Sequence, residues 1–228
     1  MKRFSNLMLA IALAFIALVP MAHATLLTPG QCVGTGGGCP GTIQNFNNAS
    51  PGTVIASTGV EAFTIGNGKK TFEEGNFEEQ VIQAAGTGYL SFYYQIQLTG
   101  PKGGAIDTLE ASDFTGWTTD VGVNTPYAVF AGNKGTVQPI SINVTPDGSA
   151  VNFEFGNTFT VSSGAKTSVT LVVNTNAFSY QAGSSSLIDT GVTSVNSFAP
   201  GPEPGSMALF GSVLAIGAIL ARRKLVRR

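Results

Sequence analysis

The chain has 228 residues and a formal net charge of −1, and charged side chains make up 11% of it against roughly 25% in an ordinary soluble domain. Glycine fills 29 positions and hydrophobic residues reach 43%, a mixture that excludes global disorder. It also excludes a coiled coil or long helical repeat, which needs abundant Ala, Glu, Lys and Leu at helical period. At the N-terminus Lys2 and Arg3 precede an apolar run from Leu7 to Val19, which Pro20 breaks. Ala22-His23-Ala24 then places small residues, Ala22 and Ala24, where signal peptidase requires them. Residues 1–24 therefore read as a cleaved secretory signal peptide. Thirteen apolar residues are few for a retained membrane span.

Residues 25–51 form a glycine-rich arm in which Cys32 and Cys39 enclose Val-Gly-Thr-Gly-Gly-Gly. Two cysteines this close in an exported chain predict a disulfide staple. Residues 52–198 read as strands nearly throughout. Leu90, Phe92, Tyr94, Ile96 and Leu98 alternate with Ser91, Tyr93, Gln95 and Gln97, which predicts a strand over 89–98 with one buried face. Ile140, Ile142 and Val144, the turn Pro146-Asp147-Gly148, then Val151, Phe153 and Phe155 spell a β-hairpin. Val169, Leu171 and Val173 mark another strand after Ser163-Gly164. Weaker strands are expected over 54–57, 60–65, 77–84, 106–112, 119–123 and 187–195. Short strands joined by Gly, Asn and Ser predict an antiparallel β-sandwich of about eight to ten strands, with a closed barrel as the alternative.

The residue inventory of this domain is selective. Between Thr25 and Gly201 stand five lysines, no arginine and twelve carboxylates, a net charge of −7. Nucleic-acid binding, which neutralises phosphates with Lys and Arg, is disfavoured. The single histidine, His23, lies in the signal peptide, so Ser-His-Asp and Cys-His chemistry and imidazole-ligated zinc are unavailable after cleavage. Four carboxylates in Phe72-Glu73-Glu74-Gly75-Asn76-Phe77-Glu78-Glu79 suit calcium by chemistry, though not by EF-hand spacing. The plainer reading is an exposed strand or hairpin whose charges discourage edge-to-edge pairing. A second cluster, Asp107, Glu110, Asp113, Phe114, Trp117 and Asp120, can stack on a sugar ring through Phe114 and Trp117, or can simply anchor the core with them. Paired carboxylates leave a glycosidase formally open. Ser163-Gly164-Ala165-Lys166 has Ser-x-x-Lys spacing but sits between strand-like runs, as a turn does.

The chain then changes character. Ala199-Pro200-Gly201-Pro202-Glu203-Pro204-Gly205 is an extended linker, because three prolines cannot join a helix or a central strand. Residues 206–221 are uncharged and apolar, and Arg222, Arg223, Lys224, Arg227 and Arg228 follow as residues 222–228 close the chain. Sixteen helical residues span about 24 Å, a little short of the ~30 Å hydrocarbon core, which arginine snorkelling or local thinning covers. A single transmembrane helix with a cytoplasmic basic tail is expected by the positive-inside rule.

Pro202-Glu203-Pro204, a short glycine-containing apolar helix and an arginine cluster together resemble the PEP-CTERM sorting signal, over about residues 200–228. The resemblance implies export by signal peptidase and transient anchorage in the inner membrane of a Gram-negative bacterium. It further implies processing near the motif by an exosortase, and arrival at the cell surface or in an exopolysaccharide matrix. The expectation is a non-enzymatic surface or biofilm-matrix protein with no cofactor and no metal, with exopolysaccharide as a possible partner. A carbohydrate-binding module using Phe114 and Trp117 is the alternative.

Overall fold

The computed structural model describes residues 26–202, apart from 68–69, 102 and 162–165. The signal segment with Ala22 and Ala24, the turn at Ser163-Gly164, Glu203 and Pro204 of the sorting motif, the apolar segment 206–221 and the five basic residues after it lie outside the described residues. Among the described residues the chain is all-β, with fourteen strands and one short 3-10 turn over Gly156–Thr158.

Eight strands build the larger sheet: β1 (Leu26–Leu27), β3 (Thr53–Ser57), β4 (Glu61–Gly66), β5 (Thr71–Gln83), β6 (Leu90–Gly100), β8 (Thr119–Asn124), β11 (Lys166–Thr167) and β12 (Thr170–Thr175). Their order is β1-β8-β12-β6-β5-β3, with β11 also on β6 and β4 also on β5. Six build the smaller sheet: β2 (Cys32–Gly34), β7 (Thr108–Ser112), β9 (Ser141–Val144), β10 (Ala150–Glu154), β13 (Tyr180–Ile188) and β14 (Val192–Pro200). Its order is β14-β13-β7-β10-β9-β2. Pairing between named strands is antiparallel throughout, in two separate sheets rather than one closed wall.

The two sheets meet through their apolar faces. Phe77, Phe92, Tyr94, Ile96 and Leu171 of the larger sheet share one buried cluster with Leu109, Ile142, Phe153 and Val195 of the smaller. The Tyr94 and Phe153 rings lie 6.3 Å apart across the interface. Each such aromatic contributes about 1.5–3 kcal/mol by leaving water, which is what fixes the strand register.

The 89–98 alternation holds for the core face, but the opposite face is not open to solvent. The segment 125–137 lies across the outside of β6 and β12. Gln95 Nε2 donates to the Asn133 and Ser168 carbonyls at 2.8 and 2.9 Å, and its Oε1 accepts from the Phe130 amide at 2.8 Å. Tyr127 Oη donates to Gln80 Oε1 at 2.7 Å, and Thr170 Oγ1 to the Tyr127 carbonyl at 2.9 Å. Ile82, Tyr93, Val129 and Val172 make a second small apolar cluster beneath this cover. Gln95, which reads as solvent-facing, is thus a clasp for a loop that covers the sheet. Gly135, at φ +64°, allows the close approach, since a Cβ there would overlap the Ser168 carbonyl.

The hairpin at Pro146-Asp147-Gly148 forms as its turn residues dictate. Asp147 Oδ1 accepts from Thr145 Oγ1, the Ser149 amide and Ser149 Oγ at 2.7, 3.0 and 2.8 Å, and these bonds hold its carboxyl down at about 2. Residues 187–195, expected as one strand, are instead the closed end of the β13–β14 hairpin, which turns at Asp189-Thr190-Gly191 with Ile188 paired to Val192. The acidic run 72–79 is not an exposed edge either. It lies inside β5, between β4 on one side and β6 on the other, and β3 takes over from β4 beyond it, at Gln80–Gln83.

Candidate functional site

Cys32 and Cys39 are joined in a disulfide, with Cα atoms 5.3 Å apart, and β2 docks its cysteine end on β9 with Cys32 opposite Asn143. The expected aromatic pair divides. Phe114 is 1% exposed and meets Phe92 edge-on at 5.6 Å, so it belongs to the core and offers no face to a sugar. Trp117, half-buried in the next turn, donates its amide to the Phe114 carbonyl at 3.0 Å.

The four glutamates of β5 also divide. Pleating sends Glu73 and Glu79 inward, opposite Ile65 and Tyr94, while Glu78 lies on the outer face with Ser57 and Gln80. Glu79 is fully buried. Its Oε2 accepts from Ser197 Oγ at 2.6 Å and from the Phe198 amide at 2.7 Å, and Ser185 Oγ donates to Ser197 Oγ at 2.9 Å. Tyr94 sits beside Glu79, and Tyr94 Oη and Glu79 Oε1 have no other partner. Burial pushes the Glu79 carboxyl up to about 8, against the opposing pull of Ser197, Phe198 and Tyr94, so it is mostly neutral at pH 7. Burial likewise raises Glu73 to about 7, reinforced by the neighbouring Asp189 carboxylate, and raises Asp107, again with Asp189 beside it. These groups tie β5 to β14 and to the hairpin end. Among the described residues no three His, Cys, Asp or Glu are arranged to hold a metal ion.

An open cleft of about 330 Å³ lies on the outer face of the larger sheet, where β6 and β12 meet the incoming segment 46–51. Its floor is Ser91, Tyr93 and Asn174; its walls include Phe46, Asn48 and Tyr89. One wall is fixed by Asn124, itself buried. The Asn124 carboxamide accepts from the Asn48 amide at 3.1 Å and donates to the Asn48 carbonyl at 2.7 Å, and it reaches Tyr93 Oη at 3.4 Å. Gly122 permits this, because a Cβ there would overlap the Gln44 carbonyl of the same segment. At the rim Tyr89 and Phe178 pack with ring centroids 4.8 Å apart, yet both stay exposed, at 40% and 52%.

The cleft draws on residues 46–51, 84–93 and 174–175, three stretches with no local motif, and Phe178 adjoins it by packing on Tyr89. The only sequence signal was Tyr89 and Phe178 as large aromatics beside turn residues, which reads equally as core.

The last paired strand ends at the same end of the sandwich. Tyr180 opposes Pro200, the Gly201 amide donates to the Ser179 carbonyl at 2.8 Å, and Ser179 Oγ donates to the Gly201 and Pro202 carbonyls at 3.1 and 3.0 Å. Phe178 is therefore one residue from the anchor of the departing chain. The chain matches no protein-family model, no curated protein and no solved structure.

Proposed function

We propose that the chain is an exported structural protein of a cell surface or extracellular matrix. In this reading a β-sandwich is delivered between a signal peptide and a C-terminal sorting segment with one membrane-spanning helix, and an exosortase-type protease releases it near Pro202-Glu203-Pro204. The observation that carries the reading is the way the folded part stops. Strand pairing runs to Pro200, Ser179 ties down Gly201 and Pro202, and Pro202 is already exposed. The sorting motif thus begins directly where the last strand leaves the sheet, as a substrate segment must if a membrane protease is to reach it without unfolding the domain.

The composition supports the same reading. The domain contains neither arginine nor histidine, its two most displaced glutamates are consumed in holding strands together, and its cysteines form a staple. The test is fractionation of cells with and without the exosortase. The chain should move from the surface or medium to the inner membrane when the protease is deleted. Unchanged surface yield would remove the sorting step from the account.

A further inference from the structure

We propose that the cleft on the outer face of the larger sheet binds a neutral saccharide, with Tyr89 and Phe178 as its stacking platform. This stands independently of the sorting reading. Three properties of the cleft point to that ligand class.

The first is the exposed aromatic rim. Tyr89 and Phe178 contact each other at 4.8 Å but leave much of their surface in water, and Phe178 has no polar atom to justify its position. Their place is fixed from below, because the Leu90 amide donates to the Ala177 carbonyl at 2.9 Å and so locks residues 177–178 against β6. A pyranose ring presents a face of C–H groups that packs on such rings.

The second is the lining beside that rim. Ser91, Asn48 and Asn174 bring hydroxyl and carboxamide groups, which both donate and accept, and Tyr93 adds a phenol. A sugar's equatorial hydroxyls are donors and acceptors at once, so amides and hydroxyls match them without fixed charge. A lipid surface would need the apolar rim without these polar groups.

The third is charge. The domain carries twelve carboxylates and five lysines between Thr25 and Gly201, yet none of the residues lining the cleft is an acid or a lysine. Burial also raises the Tyr93 phenol, so it stays neutral through the physiological range. A uronate or phosphate would find no cation here, which selects a neutral saccharide. The volume of about 330 Å³ lies at the lower end of small-molecule sites, about 300–1,000 Å³. The Asn124 clasp and the edge-on Tyr93–Tyr127 contact at 5.3 Å hold the floor in place before any ligand arrives.

The experiment uses the full chain purified in detergent, passed over immobilised oligosaccharides from α-glucan, β-glucan, mannan and galactan, with alginate oligosaccharides as the charged comparison. Saturable binding to at least one neutral member is expected. Tyr89→Ala and Phe178→Ala should each weaken it about tenfold or more while the thermal unfolding midpoint stays near that of the parent, and Trp117→Ala should bind as the parent does. Tyr89→Phe, which keeps the ring, should retain most of the binding. The proposal is overturned if no neutral oligosaccharide is retained, if alginate alone is retained, or if Tyr89→Ala and Phe178→Ala leave binding unchanged. It is overturned too if those two variants change only retention on phosphatidylethanolamine–phosphatidylglycerol vesicles, which would make the rim a membrane contact.

Discussion

Replacing Glu79 by glutamine should leave the protein nearly unchanged at pH 5 and make it markedly more stable at pH 8. In the folded chain the Glu79 carboxyl is raised to about 8 by burial, against an ordinary value of 4.5. Between those values the folded state holds a proton that the unfolded chain has released, so stability falls as pH rises from about 4.5 and levels off above about 8. For that pair of values the loss between pH 5 and pH 8 is about 3–4 kcal/mol. Glutamine reproduces the protonated acid. Its carbonyl can accept from Ser197 Oγ and the Phe198 amide, and its amide can donate to Tyr94 Oη. It does not titrate, so the pH-dependent loss disappears. At about 2–4 °C per kcal/mol for a chain of this size, the variant should melt roughly 6–16 °C above the parent at pH 8. Thermal or urea unfolding of both proteins from pH 5 to pH 8 measures the difference. Glu73 is also raised and acts with the same sign, but it is present in both proteins and cancels. Parallel pH profiles for parent and variant would refute the placement of a neutral Glu79 in the core.

The other substitutions test the division between core, clasp and surface. Phe114→Ala should cost about 3–5 kcal/mol in chemical denaturation, because it empties a site against Phe92, whereas Trp117→Ala should cost about 1 kcal/mol or less. Equal costs would contradict the separation of the two rings. Gln95→Leu leaves the Phe130 amide and the Asn133 and Ser168 carbonyls without their partner, so a loss of about 2–5 kcal/mol is expected, with faster amide exchange concentrated at 129–133. Exchange that rises uniformly over the chain would instead make Gln95 an ordinary core residue. Converting Cys32 and Cys39 together to serine opens a loop of eight residues and should cost about 2.5 kcal/mol, read from denaturation midpoints with and without reductant.

Period-two alternation made the central strand, the 141–154 hairpin and the strand at 170–175 legible, because in each the apolar side chains go to one buried face. The alternation could not say whether the polar face was wet. Gln95 reads as solvent-facing, and it is taken up, like Gln80 and Thr170, by the 125–137 segment through bonds to residues 35 to 49 positions away. The β13–β14 hairpin was hidden for a different reason. Gln181-Ala182-Gly183-Ser184-Ser185-Ser186 has no apolar rhythm, and the small residues there suit the close approach to β7 and β14 rather than a hydrophobic face. The acidic run in β5 misled because charge alone does not reveal pleat direction. Two of its glutamates point inward, where burial, joined at Glu73 by the neighbouring Asp189, favours the neutral acid, an environment that only the packing of β5 against β14 and the hairpin end defines. Of the site residues, the disulfide was readable from spacing and compartment. The cleft was not, because it is assembled from segments more than 30 residues apart.

Intact mass of the chain, recovered separately from membranes and from the cell surface or medium, tests the central claim most directly. The account predicts a surface species that begins at Thr25 and lacks everything beyond the Pro202-Glu203-Pro204 region, with the longer form confined to the membrane. A chain found only in the membrane with Arg228 still attached would contradict it and would make this protein a tail-anchored β-domain instead.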